Sequence, residues 1–253
     1  MELDICIDMV YSGRDFIESL ESTKQLGITS YEFWQWWDKD IDAIRMKQNE
    51  LNMNCTTFCT KFITLLDPLK RSEYINGLCE SIEIAKKLNT KLLISQVGNQ
   101  IQDKVFEEQW GSLVDGLKAC VPHLEKNHIT LLIEPLNLFD HPGYFLTNSK
   151  DAFRLIDEVG SEYVKILYDI YHYQNIEGNL IKTITENISK IGHFHCAGNP
   201  GRGNIINGEI NYHEVFKAIQ GTNYDGNIGL ECNIKDNIDV GIKAASALFS
   251  ESK

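Results

Sequence analysis

Eight short apolar runs recur along the chain: LDICIDM (3–9), SYEFW (30–34), MNCTTFC (53–59), KLLISQ (91–96), ITLLIE (129–134), VKILYD (164–169), KIGHFHC (190–196) and NIGLE (227–231). Polar and apolar positions alternate only weakly within them, the pattern of strands buried on both faces. Between the runs the period changes. Tyr74, Leu78, Ile82, Ala85 and Leu88 recur at helical spacing within 70–88, as do Trp110, Leu113, Leu117 and Val121 within 104–127. A shorter helical pattern with Phe16, Ile17 and Leu20 occupies 14–26. Strict strand–helix alternation predicts a parallel sheet covered by helices. Eight such units in 253 residues predict an α/β fold of the closed (β/α)8 TIM barrel type, one domain over residues 1–253. Neither GxGxxG after the first strand nor GxxxxGK[ST] is present, which removes the two common nucleotide-binding sheets.

The residues that end the last four runs add chemistry to this frame. Glu134, Asp169, His195 and Glu231 follow one another at intervals of 35, 26 and 36 residues, close to the roughly 30-residue length of a βαβ unit. Barrels of this kind place their chemistry at the C-terminal ends of the strands, so all four side chains would meet there. Burying unpaired charge is costly, and three carboxylates beside an imidazole need a cation among them. Oxygen ligands with one nitrogen suit Mn2+, Mg2+ or Co2+. The plainer reading is that each residue separately caps a helix or bonds backbone.

Longer connections at 34–40, 96–104, 135–148 and 197–210 all follow strands and belong to the same face. His172 begins the loop after Asp169, where it can donate a hydrogen bond to a substrate. Arg202, in the Gly-rich NPGRG segment, can hold a substrate carboxylate or hydroxyls through a charged fork. Trp34, Trp36 and Trp37 read either as an apolar wall or lid or as core and interface residues. Glu32 and Lys61 are weaker candidates for polar contacts at the site. His193 points to the same side as His195, one layer deeper, and reads as a core histidine.

A formal net charge of −12 disfavours nucleic acid and anionic membrane surfaces as partners and leaves a small-molecule substrate. The start, MELDICIDMVY, shows neither a signal peptide nor a membrane span. Seven scattered cysteines do not form a disulfide framework and point to a reducing, cytoplasmic setting. Cys55 and Cys59 stand four apart without a second pair, which argues against a zinc knuckle. The tryptophan-rich segment suits a homo-oligomer, a dimer or a tetramer.

The segments LLIEPLN, HPGYFLT, YDIYHYQNIEGNL, IGHFHCAGNPGRG, GEINY and YDGNIGLE, in that order, resemble the hydroxypyruvate isomerase family. That family belongs to the xylose isomerase-like barrels and is related to the ketose 3-epimerases. The resemblance is dense over residues 129–231 and general before it. It implies a divalent metal held by Glu134, Asp169, His195 and Glu231, with Glu134 and Glu231 as the acid/base pair and His172 and Arg202 binding substrate. It implies an isomerase that moves a proton through an enediolate on a small hydroxy-carbonyl compound such as hydroxypyruvate or a 2-oxotetronate. One position departs: the isomerase pattern carries Gln where this chain has His195, and the epimerase cousins carry His. A ketose 3-epimerase is therefore the alternative, with a keto-sugar or keto-inositol dehydratase or a non-catalytic metal-binding subunit behind it.

Overall fold

The computed structural model describes residues 1–235 and 237–252. Its strands are β1 (Glu2–Cys6), β2 (Ser30–Phe33), β3 (Asn54–Cys59), β4 (Leu92–Gln96), β5 (Thr130–Glu134), β6 (Val164–Asp169), β7 (Ile191–Cys196) and β8 (Asn227–Leu230). Each pairs in parallel with the next, and β8 returns to β1, closing the barrel. The connections carry α1 (Ile7–Val10), α2 (Phe16–Gln25), α3 (Ile41–Leu51), α4 (Arg71–Leu88), α5 (Phe106–Asn127), α6 (Ser149–Val159), α7 (Ile170–Ile176), α8 (Leu180–Asn187), α9 (Tyr212–Gln220) and α10 (Ile238–Glu251). All eight expected strands and the three expected helices are present.

Side chains in a strand alternate between two faces, and this divides the core. Leu131 and Ile133 of β5, Ile166 and Tyr168 of β6, and Phe194 and Cys196 of β7 belong to the layer between barrel and helices. The alternate positions point into the barrel, where Cys59, Ile94, Leu132 and Leu167 form a separate inner apolar layer. One step beyond Leu132 and Leu167 along the same inner face come Glu134 and Asp169. His193 and His195 share the inner face of β7. A carboxylate two residues after an inward Leu must point into the mouth of the barrel, so strand pleating fixes the site.

Two expectations are corrected. The first run does not continue to residue 9: β1 stops at Cys6 and Ile7–Val10 turn into α1. Asp8 in that turn accepts the backbone N–H of Trp34 at 2.7 Å and pairs with Lys39 at 3.1 Å, which ties the turn to the exit of β2. His172 does not begin a loop but lies in the first turn of α7. Asp169 is the reason: its Oδ1 accepts the backbone N–H groups of Tyr171 (2.8 Å) and His172 (3.1 Å), capping a helix where the sequence reads as a strand exit.

Register sets one interior level across four strands. Asp169 of β6 pairs with His195 of β7, His195 with Gly229 of β8, and Gly229 with Asp4 of β1. Asp4 is fully buried, and its oxygens find no hydrogen bond of good geometry, only the Thr56 hydroxyl nearby. Burial, and then the charge of Glu32, push its pKa up to about 6. Because the folded value lies above the unfolded one, its contribution to stability is complete below about pH 3.8 and is lost as pH rises through about 6. Asp4→Asn should therefore stabilise the protein at pH 7.5, by on the order of 2 kcal/mol, with the gap closing below pH 4. Urea unfolding at a series of pH values checks this; a gap that does not change with pH would contradict it.

Candidate active site

The C-terminal mouth of the barrel brings together the four residues expected there. One ligand atom from each of Glu134, Asp169, His195 and Glu231 lies within 4.8 Å of all the others, and all four residues are buried. Each arrives by a specific local device. Glu134 ends β5, where Pro135 follows and removes a ladder donor. Its carbonyl accepts the Tyr144 hydroxyl at 2.9 Å, and the same hydroxyl accepts Val97 N–H at 2.7 Å, fastening the ends of β4 and β5. Glu231 lies one residue past β8, where its N–H bonds Cys196 O at 3.1 Å. His195 turns its Nδ1 edge to the carboxylates, 3.0 Å from Glu231 Oε2 and 3.9 Å from Glu134 Oε1.

Arg202 enters from the loop 197–210. That loop is folded tightly: a Cβ at Gly198 would sit 2.4 Å from Asn204 O, and one at Gly208 would sit 2.3 Å from Asn199 O. Arg202 itself has φ 52°, a left-handed conformation that costs a non-glycine residue on the order of 1 kcal/mol. Its carbonyl accepts Asn233 N–H at 2.7 Å. The guanidinium reaches Glu231 Oε2 at 2.5 Å and Asp169 Oδ2 at 3.2 Å. Trp34 Nε1–H donates to the other Glu231 oxygen at 2.6 Å.

The two glutamates therefore differ in charge environment. Burial works against ionising Glu231, but Arg202 and His195 overcome it and hold this carboxyl well below the usual carboxylate range. Burial, reinforced by the charges of Glu231 and Asp169, pushes Glu134 up to about 8. Glu32 and Glu231 hold His195 well above its ordinary value despite its burial. The donor set, three carboxylates and one imidazole edge converging within 4.8 Å, could hold a metal ion.

His172 is buried, and burial lowers its pKa to about 4, so the ring is neutral. Its Nδ1 accepts Asn137 N–H at 3.2 Å. The proton therefore sits on Nε2, which lies 3.5 Å from Asp169 Oδ2 and finds no well-aligned acceptor. Asn137 is itself held by Asp140, which also accepts the Tyr171 hydroxyl at 2.8 Å.

A cavity of about 370 Å3 opens over the cluster. Its lining includes the polar Glu134, His195, Glu231, Arg202, His172, His141 and Gln96 and the largely apolar Met9, Trp34, Phe62, Ile94 and Leu136. Among the described residues lining it, Arg202 is the single permanent cation. The three tryptophans divide: Trp34 joins the wall, Trp36 donates to Ser81 Oγ at 3.1 Å, and Trp37 stands half-exposed, edge-on to Phe62. Lys61 does not face the site; it pairs with Glu80 of α4 and lies over Trp36. His141 and Gln96 are not site candidates in the sequence, and Trp34 is one only as a wall or lid residue, not as a hydrogen-bond donor to Glu231. The signal for Trp34 was its place immediately after the second strand; His141 and Gln96 carried none.

The chain matches the family described as xylose isomerase-like TIM barrel over residues 20–251. It is 34% identical over 246 residues to hydroxypyruvate isomerase of Escherichia coli, covering 94% of this chain and 95% of that one. It is 38% identical over 114 residues to 2-oxo-tetronate isomerase of Cupriavidus necator, covering 45% of this chain and 44% of that one. The fold is shared with a Brucella melitensis structure titled AP endonuclease, family 2, at TM-score 0.90 and 22% identity, over 95% of each chain. The barrel, its C-terminal site and these similarities together show that the chain belongs to the hydroxypyruvate isomerase family of xylose isomerase-like TIM barrel enzymes.

Proposed function

We propose that this protein is a metal-dependent isomerase of a small hydroxy-carbonyl acid, hydroxypyruvate or a 2-oxotetronate, acting by proton transfer through an enediolate. The observation that carries the reading is the convergence of Glu134 and Glu231, from non-adjacent strand ends, on one cation-sized cluster beneath a small cavity with a single guanidinium. Full-length similarity to an enzyme named for hydroxypyruvate supports the substrate class. The unpaired cysteines fit a cytoplasmic location, and among the described residues no helix is long and apolar enough to cross a membrane.

In this reading Glu134, Asp169, His195 and Glu231 hold a divalent cation. When bound, the cation supplies Lewis-acid polarisation of the substrate carbonyl and charge for the oxygens of the enediolate. The substrate carboxylate rests against Arg202 and the Nε2–H of His172. One glutamate takes a proton from C3 of hydroxypyruvate. The C–H electron pair forms the C2–C3 double bond, and the carbonyl electrons move to oxygen. The other glutamate delivers a proton to C2, and the C3 hydroxyl proton passes to the C2 oxygen as the C3–O electrons form the aldehyde, which leaves C2 with a hydroxyl. Trp34, Phe62 and Leu136 keep bulk water from the carbanionic carbon.

His195 favours a second reading, a ketose 3-epimerase, because the same pair can return the proton to the opposite face of one carbon. A panel of hydroxypyruvate, 2-oxotetronates and ketohexoses, incubated with Mn2+-loaded protein in D2O and read by NMR after quenching, separates them. Conversion of the short keto acids with deuterium incorporation is expected. Turnover confined to ketohexoses with inversion at C3 would establish the epimerase instead.

A further inference from the structure

Beneath the four-residue cluster, and sharing His195 with it, lies a second buried group whose Glu32 of β2 and His193 of β7 the proposed chemistry does not use. The carboxylate of Glu32 reaches across the barrel interior, past β1 and β8. Its Oε2 is hydrogen-bonded to His193 Nε2 at 2.9 Å, and its Oε1 lies 3.0 Å from His195 Nε2, an ion pair at contact distance without the alignment of a hydrogen bond. The strand between them makes room for it. A Cβ at Gly229 would lie 2.5 Å from Glu32 Oε1 and 2.8 Å from its carboxyl carbon, so any side chain at that register position would displace the carboxylate from where it stands. Burial opposes the Glu32 charge, but His195 and His193 overcome it and hold the carboxyl below its ordinary value.

We propose that Glu32 is a positioning residue for His195. With His195 bound to a cation through Nδ1, Glu32 Oε1 would take the Nε2–H 3.0 Å away, fix the ring plane, and so aim the Nδ1 lone pair at the metal position among Glu134, Asp169 and Glu231. His193 holds the second Glu32 oxygen and keeps the carboxylate from rotating away. The inference rests on the metal reading above, in which His195 is the single nitrogen ligand. A ring held by a carboxylate on its far nitrogen is a better oriented and more basic ligand. The alternative, that Glu32, His193 and His195 themselves enclose a metal ion, offers three ligand atoms against the four of the neighbouring cluster.

Two measurements test this. The first uses wild-type protein: 15N NMR of the histidine rings after loading with Zn2+, a diamagnetic probe. Protonated Nε2 and unprotonated Nδ1 are expected for His195; the reverse tautomer would overturn the proposal. The second is calorimetric titration with Mn2+. Wild type should bind one equivalent. Glu32→Ala should bind about 10- to 100-fold more weakly, and Glu32→Gln should recover part of the loss, because its amide oxygen accepts the same N–H. Wild-type affinity in a folded Glu32→Ala, or a second equivalent of metal lost with Glu32, would overturn it. If Glu32→Ala does not fold, the tautomer of the wild type decides. A wild type that binds neither Mn2+ nor Zn2+ fails the metal reading and this proposal together, which distinguishes that failure from one confined to Glu32.

Discussion

Glu134→Gln and Glu231→Gln should each lower kcat on the preferred substrate by on the order of 10^3, with KM changed far less. Gln keeps the size of the side chain and one carbonyl oxygen, so cavity shape and any single coordination bond survive. It cannot carry a proton, and a positioned proton carrier contributes about 10^2- to 10^4-fold. The two variants should separate in stability. Glu134 is buried with a carboxyl pushed up to about 8, first by burial and then by Glu231; replacing it with a neutral amide relieves that repulsion, and the fold should be unchanged or firmer. Glu231 is held ionised by Arg202 and His195 and accepts the Trp34 indole N–H. Glu231→Gln keeps the indole bond but leaves a buried guanidinium with Asp169 alone, so it should lose stability. Steady-state kinetics at matched metal content, with thermal melts alongside, gives both answers. Near-normal turnover in both variants would remove the proposed mechanism.

Asp169→Asn should separate metal binding from folding. Asp169 has two jobs on two oxygens: Oδ1 caps α7 through Tyr171 and His172, and Oδ2 faces the cluster and Arg202. Asn is as good a cap as Asp but is a weak, neutral ligand. Asp169→Asn should therefore keep a near-wild-type melt while Mn2+ affinity falls on the order of 100-fold and activity falls with it, because one of three ligand charges is gone. Asp169→Ala should lose the same affinity and in addition about 1 kcal/mol of stability, the usual worth of a cap. Calorimetric titration and melting of the two variants check this. Equal Mn2+ affinity in wild type and Asp169→Asn would show that this carboxylate does not belong to a metal site.

The barrel and the four strand-end residues were legible because both follow from local rules. Strand pleating repeats every two residues, so an inward Leu132 or Leu167 dictates an inward Glu134 or Asp169 two places on. What escaped depends on contacts distant in sequence. The partnership of Glu32 with His195 spans 163 positions and needs the closed barrel and the bare Gly229 before it exists. The indole of Trp34 meets Glu231 because the turn at Asp8 holds the exit of β2 near β8. Lys61 looked like a site cation because it follows a strand, yet Glu80 on α4 captures it outside the cavity. The helix at His172 was hidden because the capping residue is itself the last residue of a strand.

The most direct test of the account follows the C3 hydrogens of hydroxypyruvate. With 3,3-dideuterated substrate in ordinary water, Mn2+-loaded protein should release label from C3, with part of it appearing in solvent. Chelation should stop the release, and Mn2+ should restore it. Label that stays on C3 during incubation with metal-loaded wild type, or leaves equally fast from metal-free protein, would contradict the account.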